Sequence, residues 1–213
     1  MSDRGTPITR GSLAALRRYA QPEPLARCDL CAEPIPPEHR HLLDVTARQF
    51  LCVCYACSLL FDREAASDGK YRLVSDRYLD LGGLQIDDAA WTRLGVPVGM
   101  AFFSYSSPAG RMLAYYPSPM GATESAVDEA EWEALVAQQP ILRTLAPDIE
   151  ALLVNRARGA RDAFIVPLDQ CFALVGVVRQ HWRGLSGGSQ VWREIDGFFA
   201  ALRSRSKPAP PVD

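Results

Sequence analysis

Two Cys-x-x-Cys pairs, Cys28-Asp29-Leu30-Cys31 and Cys54-Tyr55-Ala56-Cys57, constrain this chain more than anything else in it. Each pair can close into a tight turn that aims two thiolates at one ion, and two such turns complete a tetrahedron. The preferred ligands are therefore Cys28, Cys31, Cys54 and Cys57. Cys52 lies two positions before Cys54, so in a strand both face the same side, but that spacing cannot form the turn. The gap of 22 residues between the inner cysteines slightly exceeds the usual ribbon range. His39 and His41 lie inside the loop. Either can replace a thiolate, although an exposed or hydrogen-bonded histidine is the preferred reading.

Four thiolates saturate a divalent ion, which favours a structural metal over a catalytic one with an open position. Backbone amides in the turns, with Arg27, Arg40 and Arg48, are the available donors to offset the negative charge. Structural zinc contributes about 10–16 kcal/mol of apparent binding energy to a module too small to bury its own core. Zinc is expected here, with rubredoxin-like iron as the alternative. Iron is disfavoured because Ala32 and Ser58 stand where a glycine after the second cysteine would let amides approach the sulfurs.

At 213 residues, 48% of them hydrophobic, the chain can bury a real core. A formal net charge of −2 favours neither nucleic acid nor an anionic membrane as partner. No apolar run reaches the length of a membrane span, and no hydrophobic signal region follows Met1. A cytoplasmic location is expected, where thiols stay reduced and bind metal more often than they form disulfides.

Along the chain, residues 1–24 form a tail with a short helix over Ser12 to Tyr19. Residues 25–62 have the layout of a zinc ribbon, with a hairpin of His41 to Val45 and Gln49 to Val53 between the two knuckles. Residues 63–98 supply connecting strands, Tyr71 to Val74 and Tyr78 to Leu81, and a brief helix capped by Asp87-Asp88. Residues 99–204 repeat a rhythm of hairpin then helix: Gly99 to Tyr105 with Arg111 to Tyr116, then Ile149 to Asn155 with Ala163 to Val166. Ser125 is expected to cap the first helix. Leu168, Cys171, Phe172, Val175 and Val178 mark the second by their spacing. A last helix spans Gln190 to Leu202, and residues 205–213 read as a proline-rich disordered tail. The expected fold is α+β: an N-terminal zinc-ribbon module joined to a ββα-ββα antiparallel-sheet domain with C-terminal helices.

Other chemistry is sparse. Gly187-Gly188-Ser189, flanked by Arg183 and Arg193, has the make-up of an anion-holding loop at a helix start. Ser189 as an ordinary N-cap explains the same residues. Arg156, Arg158 and Arg161 cluster at a hairpin tip, as a solvated turn or as a contact for an acidic partner. Cys171, on an apolar helix stripe, reads as core rather than nucleophile. Asp128, Glu129, Glu131 and Glu133 form a solvated helix face, and no acid/base pair or nucleophilic triad is legible.

Several strings together resemble an uncharacterised bacterial family. They are Arg40-His41-Leu42-Leu43-Asp44, the run Cys52 to Phe61, Tyr116-Pro117-Ser118-Pro119, Leu153 to Gly159, Pro167-Leu168-Asp169-Gln170-Cys171 and Trp182 to Gly188. The similarity covers about Pro24 to Arg203 and includes Cys52. Genes of that family often accompany those of nickel–iron hydrogenases and their maturation factors. The resemblance implies a setting in hydrogenase assembly or support, and no catalytic residue. The leading expectation is a non-enzymatic zinc-binding accessory or adaptor with a protein partner, such as a hydrogenase subunit or maturation factor. The alternatives are a rubredoxin-like electron carrier and an enzyme holding an anionic substrate at the Gly187-Gly188 loop.

Overall fold

The computed structural model describes residues 26–61, 67–82, 84–184 and 186–210. The helix expected over Ser12 to Tyr19 lies outside them. The chain has mixed helix and sheet content, organised as two sheets.

The smaller sheet is antiparallel, in the order β2–β1–β3, from β1 (Arg40–Asp44), β2 (Gln49–Val53) and β3 (Tyr71–Leu73). Between β2 and β3 lies α1 (Tyr55–Leu60), which starts on the second Cys-x-x-Cys pair. Its core is small: Cys28, Ile35, Leu42, Val53 and Cys57 are the buried members. So thin a core gives little apolar stabilisation of its own.

The larger sheet has seven strands: β4 (Leu79–Asp80), β5 (Met100–Ser106), β6 (Arg111–Ser118), β7 (Gly121–Ala126), β8 (Glu150–Asn155), β9 (Asp162–Pro167) and β10 (Lys207–Pro208). Their order is β10–β4–β9–β8–β5–β6–β7, antiparallel except for the β10–β4 pair. Strand β8 is buried at every position, as a central strand covered on both faces must be. Alternation sorts its neighbours. Phe102, Leu153 and Phe164 face α4 (Leu168–His181) and α5 (Gly188–Arg205). Phe103, Leu152 and Ile165 face Trp91 of α2 (Asp88–Arg93) and Trp132 of α3 (Glu129–Gln138).

The two sheets are not independent. On β1 the adjacent residues Leu42 and Leu43 point opposite ways: Leu42 into the cysteine module's core and Leu43 into the core under α4 and α5. At the tip of the β1–β2 hairpin, Arg48 donates to Glu124 at 2.8 Å and to the Tyr115 hydroxyl. Below the module, Glu150 is almost fully buried and accepts from Arg77, from the Ser75 hydroxyl at 2.7 Å and from the Ala146 amide at 2.9 Å.

Three expectations change. The first unit is not ββα: β7 is inserted before α3, because Gly121 to Ala126 alternates half-buried and exposed as an edge strand does. Ser125 therefore lies in β7, where its hydroxyl donates to Gly95 O at 3.2 Å, and Asp128 caps α3 through the amides of Ala130 and Glu131. The C-terminal segment is not structureless throughout. Lys207 and Ala209 donate to Tyr78 O and Asp80 O at 3.1 and 3.0 Å, and this holds Pro208 on the sheet edge, where its missing N–H is harmless.

Candidate metal centre

The two Cys-x-x-Cys turns are built by different means. In the first, the Ala32 amide donates to Cys28 O at 2.8 Å and Ala32 adopts a left-handed φ of 63°. The chain thus makes the turn without glycine, at the cost of a Cβ in a crowded region. The glycine argument against iron consequently rests on Ser58 alone, which lies within α1. In the second turn, Cys54 is the N-cap of α1, and its sulfur accepts from the Cys57 amide at 3.4 Å. A third element fastens the two turns together. The Asp29 amide donates to Cys52 O at 2.8 Å, and the Cys52 amide donates to the Asp29 carboxylate at 2.6 Å.

These contacts bring the sulfurs of Cys28, Cys31, Cys54 and Cys57 within 4.8 Å of one another. The Cys31 and Cys54 sulfurs are 3.6 Å apart. Two thiolates about 2.3 Å from a tetrahedral ion would lie roughly 3.8 Å apart, so the group has the size of a tetrathiolate shell. The four cysteines can hold a metal ion.

The electrostatics agree. Burial pushes the Cys28 thiol up, but the amides of Cys54, Cys31 and Leu30 outweigh it and bring the value down to about 6. Cys57 is driven the other way, to about 12, by burial and then by the sulfurs of Cys31, Cys54 and Cys28. Cys31 is also raised: the Glu33 amide lowers it, but the Cys28 and Cys54 sulfurs prevail. Clustered sulfurs resist taking up several negative charges unless a cation lies among them, and the amides favour Cys28 for the first. Cys52 is raised by burial and by the charges of Asp29 and Cys28.

The remaining candidates fall in two places. Arg156 lies over the Trp91 ring and pairs with Asp88 at 2.5 Å, while Arg158, with φ 54°, lies over the Trp192 ring. Arg161 lines a cleft with Asp87, Asp88 and Asp162. At the α4–α5 junction the N-cap is Gly187 rather than Ser189, and no side chain caps the helix. A Cβ on Gly187 would come within 2.9 Å of Val191 and 3.1 Å of the Trp182 ring, so close packing accounts for that glycine. Arg183 donates to Trp182 O at 2.9 Å, and Arg193 reaches the Ser189 hydroxyl at 3.5 Å. Cys171 is fully buried in the main core, and burial pushes its thiol well up.

Sequence reasoning singled out His39, His41 and Cys52 without seeing that they meet. The strand alternation around Arg40 and the hairpin pairing carried that signal. The partner of His41, Asp169, is far away in the chain and gave none.

Among the described residues no helix is long and apolar enough to cross a membrane. No curated protein and no solved structure matches the chain. Residues 27–206 match a family of unknown function, DUF5947, a span that takes in all four cysteines of the tetrad, the smaller sheet and every strand of the larger one except β10. The chain belongs to that DUF5947 family.

Proposed function

We propose that this protein is a non-enzymatic adaptor whose cysteine module, pinned by zinc, presents an apolar surface to a protein partner. One observation carries the reading. In the turns that gather Cys28, Cys31, Cys54 and Cys57, Leu30 and Tyr55 are exposed, as are Leu59 and Leu60 at the end of α1, Tyr55 to 73% and Leu60 to 66%. Four exposed large apolar side chains on so small a module suit an interaction surface. Four sulfur donors of tetrahedral size suit zinc, which would act here as a cross-link between the two turns. The resemblance to a family encoded beside nickel–iron hydrogenase genes directs the search for the partner to a hydrogenase subunit or maturation factor in the cytoplasm.

The test is affinity capture from the native host with the full chain. Tyr55→Asp/Leu60→Asp should lose the partner while keeping its metal, and Cys28→Ser should lose both. Normal capture by both variants would overturn the adaptor reading. The left-handed Ala32 keeps one alternative in play, a rubredoxin-like electron carrier. Protein isolated with visible iron–thiolate absorption and reversible reduction would establish that carrier in place of the adaptor.

A further inference from the structure

A second group of metal-ligating side chains stands beside the tetrad. One ligand atom from each of His39, His41 and Cys52 lies within 4.8 Å of the other two. The hairpin explains the meeting. His41 is directly opposite Cys52 across β1 and β2, and His39 precedes His41 by two residues. The two imidazoles meet edge to face, with centroids 4.8 Å apart.

Each imidazole already has one nitrogen engaged. His39 Nδ1–H donates to the carbonyls of Pro36 and Pro37, at 2.9 and 3.1 Å. His41 Nδ1–H donates to Asp169 Oδ2 at 2.7 Å. Carbonyls and carboxylates only accept, so Nδ1 carries a proton in both rings and Nε2 is the nitrogen left to meet a ligand. His39 Nε2 is buried and has no hydrogen-bond partner. An unpaired buried polar atom is unfavourable and calls for an explanation. A histidine that donates one N–H to a carbonyl or carboxylate while its other nitrogen is free is oriented as metal-bound histidines are.

A purely structural role accounts for the Nδ1 bonds, with His39 bracing a proline turn and His41 tying the module to α4. It does not account for the orphaned Nε2 of His39. We propose that His39, His41 and Cys52 form a second metal site, which binds a borderline-soft divalent ion such as zinc. Three protein ligands leave a fourth position open to water or one small donor, unlike the saturated tetrad. Asp169 is a positioning residue for His41. The site requires neither the adaptor reading nor a partner.

The experiment uses full-length apoprotein reloaded with excess zinc under reducing conditions and cleared of loose metal by gel filtration. Wild type should retain two equivalents, and His39→Ala/His41→Ala should retain one. Cobalt(II) loading should show the tetrathiolate spectrum unchanged in that variant and the second, mixed nitrogen–sulfur component lost. Should the double variant misfold, Cys52→Ala serves the same purpose. Asp169→Asn should weaken the second equivalent 10–100-fold and leave the first unchanged. A single equivalent in wild type with the tetrathiolate spectrum overturns this site and leaves the zinc-pinned module standing. Two equivalents retained in Cys52→Ala also overturn it, and none in wild type overturns both readings.

Discussion

His41 Nδ1 and Asp169 Oδ2, 128 residues apart in the chain, lie 2.7 Å apart in the fold. The contact runs from the first strand of the cysteine module to the first turn of α4, with both side chains mostly shielded from water. Together with Leu43 and Arg48 it makes the module a docked part of the molecule, not a bead on a tether. Changes at the cysteines should therefore be felt at the helices, and their spread depends on which contact is cut.

Leu42 and Leu43 separate the two cores. Each Leu→Ala change should cost about 2–5 kcal/mol. Leu42→Ala should speed metal release to a chelator, because its cavity opens beside Cys28 and Cys57. Leu43→Ala should lower the unfolding midpoint of the larger sheet instead, with slow metal release preserved. Equal release rates for the two variants would mean that the cores are not separate.

Metal removal should unfold one sheet before the other. Binding free energy in a small metal module is folding free energy. Chelation under reducing conditions should therefore abolish amide-exchange protection in β1 and β2 and leave β8 protected. Loss of protection in both together would show a single cooperative unit.

Glu150 is held by Arg77, Ser75 and the Ala146 amide at the centre of the larger sheet. Glu150→Ala leaves the guanidinium without its carboxylate and should cost about 3–5 kcal/mol. Denaturant titration reads it as a shift in midpoint with the slope unchanged. A shift below about 1 kcal/mol would mean that water replaces the carboxylate.

Tyr115 supplies an alkaline limit. Burial raises its phenol above the ordinary value, against the opposing pull of Arg48. Because the folded value exceeds the unfolded one, its contribution is complete below the unfolded pKa and is lost as pH rises through the folded one. The loss of stability as pH rises above about 10 should be smaller in Tyr115→Phe than in wild type. An identical loss in the two proteins would assign the alkaline limit to other groups, Tyr78 among them, which burial also raises.

Much of this structure was legible where local chemistry decides it. The tetrad follows from turn spacing, β1 and β2 from alternation, and α2 from Asp87, whose carboxylate accepts the Ala90 amide. What was hidden depends on pairing that the segment's own residues do not announce. Gly121 to Ala126 carries no apolar side chain larger than alanine, and only β6 beside it makes it a strand. The Lys-Pro-Ala segment becomes β10 only because Tyr78 and Asp80 offer carbonyls. The meeting of His39, His41 and Cys52 followed from the hairpin register, but the orienting carboxylate of Asp169 came from a helix that no local pattern connects to it.

The short β10 has a consequence for association between molecules. Open strand edges invite pairing with a second chain, and β4 would present such an edge beside β9. Lys207 and Pro208 close it with a charged residue and one that cannot donate to a further ladder. Lys207 and Pro208 thus guard against edge-to-edge aggregation, and a fusion that pulls on them would expose a surface prone to self-assembly.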